Sequence, residues 1–254
     1  LKKNNIILIE TFFHKNLISN GKFNERYNKE VYRYFPSKIK KKSYFFPINL
    51  SPLHINKFLK ITQKEKIKYL YPLDFLKFKD YINSIFLLIN LGGFKFKKIY
   101  FDNYDIKKLI DYHRTLSIFN LSSFLASLNF FFLKRMKENN FKINLLIDWY
   151  ENQIIDKGIC LAKNTFYPQT KLKGHMGFIN DFNGIHYYTP SLIEKKLNAL
   201  PDEILVISKK IYLKFFKKIK FIRCKVVPAI RNKNIFKIKE KNKIFSGHKK
   251  KLVF

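Results

Sequence analysis

The run Trp149-Tyr150-Glu151-Asn152-Gln153 sets one carboxylate between two aromatic rings and two primary amides. A carboxylate in that setting can take a proton from a hydroxyl or orient it for attack, and the amides of Asn152 and Gln153 supply donors and acceptors that sort neighbouring hydroxyls. The plainer alternative for Glu151 is a carboxylate at a helix N-terminus, favoured there by the dipole. Further along, His175 and His186 flank a loop bounded by Gly174-His175-Met176-Gly177-Phe178 and Gly184-Ile185-His186-Tyr187-Tyr188. Its glycines permit close backbone approach to a ligand, and either imidazole can serve as an acid or a phosphate donor. An ordinary loop with partly buried histidines accounts for the same residues. The separation of the two histidines fits no standard metal motif, so no metal is expected. In Pro228-Ala229-Ile230-Arg231 the guanidinium of Arg231 can fork onto a carboxylate or phosphate, or can simply be a solvated charge at a helix start. No glycine-rich phosphate loop, serine nucleophile elbow or kinase set is present.

The elements that must position these residues alternate between strand and helix. Asn5 to Phe13 is a β-branched apolar run of strand length, followed by a helix from about Asn24 to Tyr34 that Pro36 stops. Ser43 to Ile48 reads as a strand that Pro47 weakens, and Ser51-Pro52 opens a helix to about Thr62. A short strand at Ile67 to Tyr71, a helix from Pro72 to Leu91 ended by Gly92-Gly93, and a strand at Phe96 to Phe101 follow. Asp105 to about Glu138 is helical in two pieces, and Lys142 to Trp149 is the clearest late strand. After a helix to about Lys163 come strands at Lys171 to Gly174, Ile204 to Ile207 and Cys224 to Val227, with a short helix from Pro190 and another at Lys209 to Lys218. This order predicts an α/β fold, a Rossmann-like parallel sheet with helices on both faces. Ligands of such sheets lie beyond the carboxyl ends of strands, which is where Glu151 emerges.

Composition narrows the class. The chain has 254 residues, 46% of them hydrophobic, with 28 Phe and 15 Tyr, enough apolar surface to rule out intrinsic disorder. Its two cysteines, Cys160 and Cys224, support neither a disulfide framework nor a zinc site. The formal charge of +33 would attract phosphates, anionic lipid headgroups or nucleic acid. It is mostly lysine spread along the chain, alongside abundant Ile, Asn, Phe and Tyr, so a biased genome explains it equally well. No nucleic-acid-binding module accompanies the charge, and nucleic acid is not an expected partner. Leu116 to Leu133 is uncharged, but its Ser and Asn residues dilute its apolarity, and a buried amphipathic helix is expected rather than a membrane span. No signal peptide opens the chain, since the first apolar run carries Glu10. Residues 1–231 are therefore expected to form one Rossmann-like domain. Residues 232–249 read as a Lys-rich linker, and 250–254 as the first strand of a second domain cut short.

Four stretches together resemble the bacterial surface-carbohydrate (O-antigen or capsule) biosynthesis proteins of glycosyltransferase type. They are Trp149 to Gln153 with Lys157; the Gly174-His175 loop leading to Tyr188-Thr189-Pro190 and Glu194; Leu200-Pro201-Asp202-Glu203-Ile204; and Val227-Pro228-Ala229-Ile230-Arg231. The similarity is clearest from about Asn144 to Phe236. Ile154-Ile155 departs from the proline and aromatic expected there, and Val227 from a common glycine. The resemblance implies the N-terminal, acceptor-side lobe of a two-domain GT-B-like fold whose second domain would hold a nucleotide sugar. It also implies sugar transfer to a lipid-linked saccharide at the cytoplasmic face of a membrane, with peripheral contact to anionic lipid and no cofactor beyond the donor substrate. On that reading Glu151 is the acceptor-hydroxyl base, His175 a second catalytic group, and Asn152, Gln153, His186 and Arg231 bind substrate. The competing class is a non-catalytic basic protein, either a nucleic-acid-associated module or a polysaccharide-assembly scaffold.

Overall fold

The computed structural model describes residues 5–93, 97–98, 100–178 and 189–230. Six parallel strands form its sheet: β1 (Ile6–Phe13), β2 (Ser43–Asn49), β3 (Ile143–Asp148), β4 (Lys171–Met176), β5 (Glu203–Val206) and β6 (Arg223–Val226), in the order β6-β5-β4-β3-β1-β2. A bridge between Phe45 and Tyr69 extends the β2 edge, where the expected strand at 67–71 shrinks to this single contact. The sheet is the α/β, Rossmann-like one expected. The proposed linker at 232–249 and strand at 250–254 lie outside the described residues.

Every residue of β1 is buried, because helices cover both faces and the strand has no solvent side on which to alternate. Ile6, Leu8 and Phe12 face the long helices α6 (Leu121–Glu138) and α7 (Ile154–Phe166). Ile7 and Ile9 pack with Tyr32 and Phe35 beside α1 (Lys29–Arg33) and with Ile39 of α2 (Ser37–Lys40), while Phe13 stacks on Phe58 of α3 (Ile55–Thr62) at 4.2 Å. Gly158 lets α7 press against α6, since a Cβ there would stand 1.9 Å from the Ala126 carbonyl oxygen.

Pro47 sits inside β2, paired with Thr11. Phe45, two residues earlier, bonds outward to Lys68 and Leu70, so Pro47 turns its missing N–H to that same outer edge, beyond the bridge, where no ladder bond is lost. The helix expected over 24–34 is reduced to α1, because Glu25 takes the backbone N–H groups of Tyr27, Asn28 and Lys29 with its side chain. The helix expected at 209–218 divides into α9 (Lys209–Ile211) and a π turn at Tyr212–Phe216, following the short α8 (Leu192–Lys196).

The outer layer is α4 (Phe78–Gly93), which runs on through the glycine pair, and α5 (Lys107–Ile118). Between them Tyr100–Phe101 and Tyr104–Asp105 form a hairpin whose turn residues, Asp102 and Asn103, both have positive φ, at 44° and 67°. Asp80 of α4 grips Arg135 of α6 with Nε to Oδ2 at 2.8 Å and Nη2 to Oδ1 at 2.5 Å. Helices α5 and α6 meet at a bend of 65°, and among the described residues no single helix is long and apolar enough to cross a membrane. Of the uncharged stretch at 116–133, residues 121–133 lie in α6 and bury Phe131, Phe132 and Leu133, while Leu116, Phe119 and Leu121 at the α5–α6 corner are exposed.

Candidate functional site

The chain leaves β1 for β2 on one side and returns to β3 on the other, so the sheet's topological switch lies between β1 and β3. A cleft of about 140 Å3 opens there, lined among others by Phe12, Tyr27, Trp149, Glu151, Gln153 and Asp156. Tyr27 stands edge-on to the Trp149 indole at 5.0 Å and tilts against Phe12 at 5.1 Å, giving the cleft an aromatic wall. Two larger clefts lie elsewhere. One, of about 370 Å3, sits at the amino ends of β4 to β6 with Lys163, Lys173, Arg223 and Lys225, whose partners are Asp202 and Glu203. The other, of about 420 Å3, is apolar and lies between α4 and the α5–α6 corner. The switch-point cleft is the smallest of the three, yet it alone joins a strand's carboxyl end to a carboxylate and aromatic rings, the combination a polar, ring-shaped ligand needs.

Glu151 is held from both sides. Its Oε1 accepts the indole Nε1–H of Trp149 at 2.8 Å and its Oε2 the amide of Gln153 at 2.7 Å. Each carboxylate oxygen keeps a lone pair for a further donor. The helix-terminal role considered for Glu151 belongs instead to Asp156, whose Oδ2 accepts the N–H groups of Glu151 at 3.0 Å and Gln153 at 2.9 Å at the start of α7. Gln153 is the N-cap residue of α7. Asn152 is buried in the left-handed region, with φ of 57°, and its Oδ1 accepts the Tyr150 hydroxyl at 2.5 Å and the Lys157 ammonium. Lys157 also pairs with Glu194 at 2.7 Å, so residues 150–157 and the α8 segment are tied into one network beside the cleft.

His175 is buried in β4. Its Nδ1 lies 3.0 Å from Asn28 Oδ1, and its ring meets the Trp149 indole edge-on at 5.5 Å. It is not among the described residues lining the cleft, and it braces Trp149 from behind. The glycines beside it serve the protein's own rings. A Cβ on Gly174 would stand 2.8 Å from Tyr150 Cβ, and one on Gly177 would stand 2.3 Å from Trp149 Cζ3. The structure thus brings Glu151 and Gln153 to the cleft, while Asn152 and His175 are buried outside its lining; His186 and Arg231 lie outside the described residues.

Sequence reasoning missed a buried group of acids beneath the cleft. Glu10 is fully buried in β1, and its Oε2 accepts the Trp149 backbone N–H at 2.8 Å. Asp148 at the end of β3 and Asp156 of α7 complete the group, and Glu10 Oε1, both Asp148 oxygens and Asp156 Oδ1 have no aligned hydrogen-bond partner. Burial, and then the neighbouring Asp148 and Asp156, push Glu10 well above the ordinary glutamate value. Burial pushes Asp148 up to about 6, against the pull of Glu10 and Lys157. Asp156 is raised by burial and by Asp148, although two backbone N–H groups oppose the rise. The signal was an acid inside an otherwise apolar strand at Glu10 and another at the end of one at Asp148. Glu25, Thr11 and Asn28 form a second buried relay: the Thr11 hydroxyl donates to Glu25 at 2.8 Å, and Asn28 Nδ2 donates to the Glu10 carbonyl at 2.9 Å. Among the described residues no group of three or more His, Cys, Asp or Glu side chains is placed to hold a metal ion. In comparisons with known proteins no family model, no curated protein and no solved structure matches the chain.

Proposed function

We propose that this chain is the acceptor-side lobe of a glycosyltransferase of surface-polysaccharide biosynthesis, taking a nucleotide sugar as donor and a lipid-linked saccharide as acceptor. The observation that supports this most is Glu151, which stands in an aromatic-walled cleft at the sheet's switch point with both oxygens oriented by fixed donors. In the reaction the acceptor hydroxyl loses its proton to Glu151 as its oxygen bonds to the anomeric carbon of the donor. The bond from that carbon to the diphosphate oxygen breaks, and the electron pair leaves with the nucleoside diphosphate. Tyr27, backed by the buried Trp149, offers an aromatic surface for the apolar side of a sugar ring, and Gln153 offers an amide to its hydroxyls. A donor lobe beyond residue 231 belongs to this reading, with Arg231 and His186 as anion-binding groups at its border. Replacement of Glu151 by Gln in cells that depend on the chain tests it: surface polysaccharide should be lost while protein level and melting temperature hold. Polysaccharide of unchanged amount and length would remove Glu151 from the reaction.

A further inference from the structure

Helix α4 is apolar on the side that faces away from the protein. Its inward stripe is Asp80, Ser84 and Leu88, held to α6 by the Arg135 ion pair and by a Ser127 to Ser84 hydroxyl contact of 2.9 Å. Its outward residues Phe78, Ile82, Ile85, Phe86 and Ile89 recur at helical spacing, and all are exposed. Helix α5 repeats the pattern with exposed Leu109, Tyr112 and Leu116. The hairpin joining the two helices carries exposed Tyr100, Phe101 and Tyr104, and the 420 Å3 apolar cleft opens where α4 meets the α5–α6 corner. A water-soluble surface seldom leaves so many large apolar groups in one stretch of chain.

The charges in the same stretch identify what covers it. Lys79, Lys97, Lys98 and Lys108 are all exposed. Asp80 is paired with Arg135 and Asp111 with Lys107 and Arg114, and the exposed Asp102 and Asp105 of the hairpin offset only part of the four lysines. A surface of aromatic and aliphatic side chains interspersed with an excess of lysines complements a lipid interface whose headgroups are anionic. A second copy of the chain would bring these lysines against their own kind, in a protein of net charge +33.

We propose that the surface formed by α4, the 100–105 hairpin and α5 docks the protein on an anionic lipid membrane by shallow insertion of its apolar side chains. The inference deepens the transferase reading, which expects peripheral contact with anionic lipid, by naming the surface that makes it; vesicle binding is measured without turnover, so the two can fail separately. Cosedimentation with phosphatidylglycerol–phosphatidylcholine vesicles tests it, read in low salt and again at about 0.5 M salt, where surface charge is strongly screened. The chain should stay bound to the vesicles in high salt. The double substitution Phe86→Asp with Phe101→Asp, at positions 58% and 68% exposed, should lower that salt-resistant binding by about tenfold or more without moving the melting temperature. Leu109→Asp with Tyr112→Asp on α5 gives an independent second reading should the first pair disturb folding. Three results would each overturn the proposal: no vesicle binding at all, binding that the substitutions leave unchanged because net charge alone holds it, or a dimer in solution that the substitutions disperse.

Discussion

The Trp149 backbone N–H donates to Glu10 Oε2 at 2.8 Å, so the residue that walls the cleft is fastened to a carboxyl buried in the first strand. That bond crosses the seam between β1 and β3, where Glu10, Asp148 and Asp156 gather under the first turn of α7. Helix N-termini favour negative charge, but three acids in an apolar enclosure cannot all ionise without strong cost.

The pH dependence of stability follows from this group, and its sign is unusual for carboxylates. Asp148 titrates near 6 in the folded chain against an ordinary value of 3.8. Between those values the folded state holds a proton that the unfolded chain has released, so stability from this group is full below about 4 and is lost as pH rises through 6. Asp148→Asn removes the loss. Compared with the parent, the variant should gain stability steadily from pH 4 to 7.5, by at most about 3 kcal/mol, as read by urea unfolding at each pH. Difference curves that stay flat across that range would show that Asp148 is not the group responsible.

The Asp80–Arg135 pair predicts a different pattern. Both side chains are buried; without Arg135 the Asp80 carboxylate has no cationic side chain bonded to it, whereas without Asp80 the guanidinium keeps its second partner, Glu138. Arg135→Met alone should therefore cost about 3–5 kcal/mol in denaturant unfolding and Asp80→Leu alone less, whereas the two combined should recover most of the Arg135→Met loss. Additive losses in the double variant would mean that the two side chains act separately.

The legible parts of this protein are those where one segment decides its own state. The runs at 6–13 and 143–148 are apolar apart from Glu10, Thr11, Asn144 and Asp148, because helices cover both faces of the sheet, and strand length separates them from helices. The segment at 24–34 misled because the rule for a helix is local while its competitor was the Glu25 side chain capturing three N–H groups. The site divides in the same way. Glu151 was visible as a polar residue at a strand end, and the structure gives it a cleft. Its supports were not visible: Glu10 and Trp149 are 139 residues apart, and nothing in either segment announces their bond. The glycines at 174 and 177 have the pattern of a loop with room for a ligand, but the space they leave is filled by Tyr150 and Trp149.

Gly177 offers the sharpest test of how the cleft is built, because Trp149 is the chain's single tryptophan and its fluorescence reports on that wall alone. A Cβ at position 177 would meet Trp149 Cζ3 at 2.3 Å, Trp149 Cη2 at 2.5 Å and His175 Cε1 at 2.9 Å, so the indole must move for an alanine to fit. Movement of the ring breaks the Nε1 bond to Glu151 and lets water reach a side chain that is now almost fully buried. Gly177→Ala should shift tryptophan emission to longer wavelength and cost about 1–3 kcal/mol, the usual range for an overpacked core. Gly93→Ala is the control, since nothing lies within 4 Å of its added Cβ, and it should leave the emission unchanged. An unshifted spectrum in Gly177→Ala would mean that the indole is not pinned between His175 and Glu151, and the fixed orientation of the Glu151 carboxylate would lose its cause.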